Sequence, residues 1–430
     1  MKIFKHKLAS DIAWSMGSMV VLAACGILIN LTISWFRDAS ALGAFNQTYA
    51  IYIITSQVAV FGLHYSVLRH AALYSSDAEE QGYLLVNAGV FSLALGVCSA
   101  ITVYWAAPFF GRILDSASVQ AATVNASFGL TLFPLNKVLM GYLNGLRHMK
   151  AISVLQSGRY ILVLLFVAAV SASTYPFEYV TLGFFIAELA TTCGVFVYLM
   201  IYGIFPTMRF DTRWTRRHIL FGGKSLFSGI LVDVNSRVDV LLVGFFLSDL
   251  AVGIYSFAAM LVEGVYNVLA FVRLNYNPVL VGNVRDGNWA AAQRLLSQTK
   301  KYVFTAVAIL SLCVIAVFLV LTTFIVPAKG LNQGLLPLGI LLVGLTLISV
   351  YIPFDNLMLV SGHPGVQTLQ QMAVILTNIV LNIALIPLLG INGAAIATAL
   401  SYISGIAALI FLAMKMLGWN LLTNLVENQS

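Results

Sequence analysis

Several ionisable side chains of this sequence fall inside long apolar runs, where a charge at bilayer depth costs about 3 kcal/mol or more and is usually paired or put to use. The deepest are Glu188, Asp233, Arg237, Asp239 and Glu263; Lys137, Arg159, Arg273 and Asp355 lie nearer the ends of their runs. Asp233 and Arg237 are four residues apart, so on a helix they share a face and can pair, which would neutralise both inside the protein. Asp239 points roughly 240° away from Asp233 and needs a different partner. Glu263, with Asn267 one turn on, could carry a proton or a cation, or could simply answer Arg237 or Arg159.

Uncharged polar groups add a second pattern. Gln371, Asn378 and Asn382 share one helix face, as do Asn46, Gln57 and His64, and Ser349, Pro353 and Asn356. Such stripes either line a hydrated cavity or hydrogen-bond between helices. His64 reads as a packed or cytoplasm-facing histidine rather than a proton relay.

The elements that carry these residues are membrane helices. The 430 residues are 60% hydrophobic and 9% charged, against about 25% charged in an ordinary globular domain. Runs long enough to cross a bilayer fall at 10–35, 41–65, 83–107, 118–143, 151–172, 177–203, 220–247, 250–276, 302–327, 334–361, 367–389 and 393–418. The expected fold is an all-α integral membrane protein of about twelve spans and no soluble domain. With both termini cytoplasmic, the inner segments hold sixteen Lys and Arg and the outer loops three, Arg37, Arg112 and Lys329, which fixes the orientation. The net charge of +7 is then an orientation signal and not a nucleic-acid footprint. Cys25, Cys98, Cys193 and Cys313 sit in spans at unrelated spacings and read as small core residues. Leu22-Ala-Ala-Cys25 looks like a lipoprotein cleavage box, but the apolar run continues past it. That run is also too long for a cleaved signal peptide.

A faint internal repeat divides the chain. Asp38, Gly43 and Phe45 after the first span echo Asp249, Gly253 and Tyr255 after the seventh, about 210 residues on. Asn144-Gly145 closes the fourth span as Ser361-Gly362 closes the tenth. Gly183 opens the sixth much as Gly393 opens the twelfth. The expected organisation is an N-terminal six-helix bundle at 1–205, a basic cytoplasmic linker at 206–219 anchored at the membrane surface by Trp214, and a C-terminal six-helix bundle at 220–430. The sequence holds no Cys/His metal cluster, phosphate-cradling loop or long aqueous loop, so it reads as a transporter and not an enzyme.

The stretch Asn378–Tyr402, the run from Asp239-Val-Leu-Leu-Val-Gly244 into Val252-Gly253-Ile-Tyr255-Ser256, and Ser361-Gly362 resemble the polysaccharide-export branch of the multidrug/oligosaccharidyl-lipid/polysaccharide (MOP) flippase superfamily, specifically Wzx-type O-antigen flippases. The resemblance covers the whole chain, with its motifs concentrated in the second half. It implies a V-shaped pair of bundles of the MATE type in the bacterial inner membrane. It further implies movement of an undecaprenyl-diphosphate-linked oligosaccharide from the cytoplasmic to the periplasmic leaflet by alternating access. On that resemblance Lys137, Arg159, Arg237 and Arg273 would attract the diphosphate, and Asn46, Gln57, Gln371, Asn378 and Asn382 would meet the sugars. Asp233, Asp239, Glu263 or Glu188 would bind a coupling H⁺ or Na⁺, with no other cofactor. Related flippases with a sodium site use an acid of the seventh span with polar groups of the eleventh and twelfth; Asp233 or Asp239, Asn378 and Thr398 match that loosely. Expected partners are the lipid-linked substrate, bilayer lipid, and polymerase and chain-length machinery, with no nucleic acid; a monomer is expected. The alternatives are a drug/cation antiporter of the same superfamily, which would want an acidic cavity, and a membrane O-antigen polymerase or ligase, which would want a large outer loop.

Overall fold

The computed structural model describes the backbone of residues 2–204, 209–235, 237–327 and 330–426, and the side chains of 10–204, 209–226, 237–327 and 330–426. It holds sixteen α-helices: α1 (Lys2–Phe36), α2 (Ala39–Val60), α3 (Leu63–Leu73), α4 (Ala78–Ile113), α5 (Ala117–Leu130), α6 (Phe133–Gly145), α7 (Met149–Ser171), α8 (Leu182–Ile201), α9 (Thr212–Asn235), α10 (Val238–Phe246), α11 (Asp249–Arg285), α12 (Trp289–Val320), α13 (Leu335–Ile348), α14 (Leu357–Val360), α15 (Pro364–Leu389) and α16 (Ile391–Leu417). Beyond them lies one short antiparallel pair, β1 (Trp419–Asn420) with β2 (Leu425–Val426).

Every expected span has a helical counterpart, but not as twelve unbroken rods. Among the described residues nine helices are long and apolar enough to cross a membrane, and α2 with α3, bent by 48°, makes a tenth. The expected spans at 118–143 and 220–247 are each split, into α5 with α6 and α9 with α10. The breaks have local causes. Phe61 (φ 50°) and Gly62 (φ 66°) both turn left-handed between α2 and α3. A Cβ on Gly62 would lie 2.7 Å from the Gly222 carbonyl oxygen, so α9 crosses that bend in backbone contact. Between α5 and α6 the break is followed by Pro134, which suits a first helical turn and cannot continue a helix from before.

The chain divides into two compact units, 1–237 and 238–430. Helix α9, expected to open the C-terminal bundle, packs on α2, α3 and α4 of the first unit. Its first turn is fastened there. Trp214 is 2% exposed and gives its indole N–H to Glu80 at 2.7 Å, and Thr215 donates to Asn87 at 2.9 Å. His218 bridges Ser66 (2.8 Å) and the Leu84 carbonyl (3.2 Å). Trp214 is thus a buried packing anchor and not the surface anchor expected of it. Just before it, Asp211 accepts from Arg213 at 2.6 Å, which holds its carboxyl below the usual range.

Within each unit the helices are wired alike. In the first, α1 packs on α7, α7 on α8, α8 on α5, and α5 on α2 and α4; in the second, α10 packs on α15, α15 on α16, α16 on α13, and α13 on α11 and α12. The sequence echoes fall at matching places. Asp38 caps α2, accepting from the Ala41 N–H at 2.8 Å, and Ser248 caps α11, accepting from the Ala251 N–H at 3.4 Å. The true counterpart of Asp38 is therefore Ser248 and not Asp249. Gly183 lies in the first turn of α8 and Gly393 in the first turn of α16. A Cβ there would strike Phe166 of α7 or the Leu385 carbonyl of α15, so the glycines set how closely each helix can pack on the one before it. Of the four cysteines Cys25 is buried, while Cys98, Cys193 and Cys313 lie on exposed helix faces, contrary to the expected core placement.

Candidate functional site

Three clusters hold the polar side chains at membrane depth. The first, in the first unit, is built on Glu188 of α8, which is 3% exposed. One carboxylate oxygen accepts from Arg159 of α7 at 3.1 Å and the other from Asn136 of α6 at 2.7 Å. Thr192, one turn on from Glu188, donates to the Asn136 side-chain oxygen at 2.9 Å. Glu188 is the partner of Arg159, one of the roles that the sequence left open to Glu263. Around this pair stand aromatic rings: Tyr52 packs on Phe133 and Phe184, and Phe184 on Phe45 and Tyr49. Three half-buried cations lie over these rings. Arg159 is 5.6 Å from the Phe133 centroid and 5.2 Å from Tyr160, Lys137 is 5.5 Å from Phe133, and Arg237 is 5.1 Å from Tyr49. A cation over a ring face is attracted electrostatically by the ring quadrupole.

The second cluster, in the second unit, surrounds Asp239 of α10. Its carboxylate accepts from Thr398 of α16 at 2.7 Å, Asn382 of α15 at 2.9 Å and Tyr255 of α11 at 3.3 Å. Asn382 also donates to the Asn378 side-chain oxygen at 2.9 Å. The Asn382 side-chain oxygen, wholly buried, has no hydrogen-bond partner. A carboxylate, two side-chain amides and two hydroxyls thus converge from the seventh, eighth, eleventh and twelfth expected spans. This set suits a hard cation, for which oxygen ligands are preferred.

The third cluster joins Arg273 of α11 to Asp355, in the turn before α14, at 3.0 Å. Gln370 of α15 donates to the other Asp355 oxygen at 3.3 Å and to the Gly405 carbonyl at 3.3 Å.

The remaining expected residues are less gathered. Asn46 donates to Asn30 of α1 at 3.0 Å, an interhelical bond. Gln57 and Gln371 are half-buried and Glu263 is exposed. The buried face of α15 runs through Gln367, Gln370, Asn378 and Asn382, so Gln370 and not Gln371 continues the asparagine stripe. The side chain of Asp233 lies outside the described residues, and with it the expected pairing to Arg237. Asn136, Thr192 and Gln370 complete these clusters and went unnoticed in the sequence, while Tyr255 and Ser401 lay within its motifs with no role assigned to their side chains. Asn136 adjoins Lys137 and Gln370 adjoins Gln371, so the signal for both was one position away.

A family model described as polysaccharide biosynthesis protein matches residues 8–274, more than half of the chain. No curated protein matches it. Among solved structures, the lipid II flippase MurJ in its inward closed conformation is similar over 93% of this chain and 87% of its own, with a TM-score of 0.75 at 16% identity. An inward-facing MATE multidrug resistance transporter of the MOP superfamily aligns over 92% and 94%, with a TM-score of 0.74 at 13% identity. A MATE transporter of Vibrio cholerae aligns over 97% and 98%, with a TM-score of 0.59 at 14% identity. At such identities the likeness establishes the fold, which is that of transporters and flippases and not of enzymes. The chain is a multi-pass membrane protein with the MOP fold and belongs to the polysaccharide biosynthesis protein family, in agreement with the Wzx-type resemblance of its sequence.

Proposed function

We propose that this protein moves a lipid-linked oligosaccharide, carried on undecaprenyl diphosphate, from the cytoplasmic to the periplasmic leaflet of the bacterial inner membrane, driven by a coupling cation. The observation that carries the reading is the aromatic-seated trio Arg159, Lys137 and Arg237 in the first unit. A diphosphate cannot enter hydrocarbon unaided, and guanidinium groups bind phosphate oxygens through charge-assisted, often bidentate hydrogen bonds. Arg159 gives one N–H to Glu188, and a guanidinium has five. Glu188 serves here to position Arg159, and Arg273 is a further cation for the diphosphate once released from Asp355. The oxygen cluster at Asp239 takes the coupling ion, a role supported by the convergence of Asn378, Asn382 and Thr398 on it and by the resemblance to flippases with a sodium site. The family supports a polysaccharide precursor, and the named substrate of MurJ, a lipid-linked one, supports the carrier lipid.

Complementation of a flippase-deficient strain tests the reading. Arg159→Ala and Arg237→Ala should each abolish surface polysaccharide while the protein still inserts. Full surface polysaccharide in both variants would refute the assignment. Resistance to cationic drugs conferred by the wild type would favour the antiporter instead.

A further inference from the structure

The Asp239 cluster and the Arg273–Asp355 pair stand at the two ends of one buried polar seam between α15 and α16. Asn382, bonded to Asp239, donates on to Asn378 at 2.9 Å, and Asn378 to Ser401 of α16 at 3.4 Å. Ser404 donates to the Ser401 carbonyl at 2.8 Å, and about one helical turn on from Ser401 the Gly405 carbonyl accepts from Gln370, which also reaches Asp355. From Gln367 to Asn382 the seam rises about 22 Å along α15, most of the roughly 30 Å of a bilayer core.

A seam that served only to hold two helices together would satisfy its own polar atoms, since buried polar groups without partners are rare and costly. This one does not. Both side-chain polar atoms of Gln367, the side-chain oxygen of Gln370 and that of Asn382 have no hydrogen-bond partner, at exposures of 5%, 3% and 0%. Three of these four atoms are oxygens, so the surplus is of acceptors, which suits water and a hydrated cation and disfavours an anion. At its cytoplasmic end on the expected orientation, the seam meets a carboxylate already neutralised by a guanidinium.

We propose that this seam conducts the coupling cation between Asp239 and the cytoplasmic face of the second unit, with the Arg273–Asp355 pair as its gate. The inference rests on the reading of Asp239 as the coupling-ion site. A cation reaching Asp355 takes the place of Arg273 on the carboxylate and frees the guanidinium. Gln367 and Gln370 are positioning residues that keep the passage wet.

The test uses the full chain in inside-out vesicles, with its four cysteines changed to serine and Ser401→Cys introduced. Silver ion is the probe, and its reaction is read as lost maleimide labelling after denaturation. Silver added at the cytoplasmic face should block the thiol, sodium should slow the reaction, and Gln367→Leu with Gln370→Leu should slow it at least tenfold. If the double leucine variant fails to insert, the volume-matched Gln367→Met and Gln370→Met single variants carry the same comparison. Equal rates with and without these substitutions, or reaction only from the opposite face, would overturn the seam. Thermal stabilisation by sodium, measured separately on Asp239→Asn, reports on the coupling site alone. Stabilisation that persists in that variant removes the coupling reading whatever the silver result, whereas its loss together with an unchanged silver rate removes only the seam.

Discussion

Glu188 holds Arg159 on one carboxylate oxygen and Asn136 on the other while being 3% exposed. Removing one member of a buried ion pair leaves the other charged and desolvated, at about 3–5 kcal/mol. Glu188→Ala should therefore lower the thermal midpoint markedly, whereas Glu188→Leu combined with Arg159→Met should recover most of the loss. A midpoint equal to wild type in the single variant would show that the pair contributes nothing. Both residues were visible in the sequence as charges out of place, but their pairing was not. They lie 29 positions apart on different helices, where no periodicity joins them. Asp239 shows the opposite case. Its need for a partner other than Asp233's could be reasoned from helical geometry, and the donors it found are neutral amides and hydroxyls whose role only packing reveals.

At the scale of elements, the apolar runs foretold where helices would lie and missed where they would break. Composition cannot show that Phe61 and Gly62 turn left-handed, because the bend depends on α9 arriving at Gly62 from far along the chain. Gly62→Val would force both a strained backbone and a clash with the Gly222 carbonyl. It should cost about 1–3 kcal/mol for the strain alone, with Gly222→Val damaging the same crossing from the other side. Thermal midpoints of both variants check this, and a fully stable Gly62→Val would mean that the bend relaxes freely. The helix caps offer a matched pair: Asp38→Ala and Ser248→Ala should each cost about 1 kcal/mol, since each removes one side-chain acceptor from a first turn.

For the whole molecule, two of the faint echoes in the sequence, at the helix starts after Asp38 and Ser248 and at Gly183 and Gly393, fall at matching places of two units wired in the same order. A Cβ would meet the Phe166 side chain at Gly183 and the Leu385 backbone carbonyl at Gly393, which is why both positions call for glycine. The sixteen-to-three bias of basic residues predicts that green fluorescent protein fused after Ser430 will fluoresce and that alkaline phosphatase fused there will be inactive; the reverse pattern would invert the assigned orientation. The wiring also sets a timetable. Helix α1 leaves the ribosome well before α7, its main packing partner, roughly a hundred residues further along. At about 5–20 residues per second, the newborn helix must wait some 5–20 seconds without its main partner. It can do so because a helix satisfies its own backbone in hydrocarbon, and its apolar stretch, little buried even in the finished unit, asks for little else. A chain stalled before α7 would thus leave α1 without its main partner and exposed to membrane quality control.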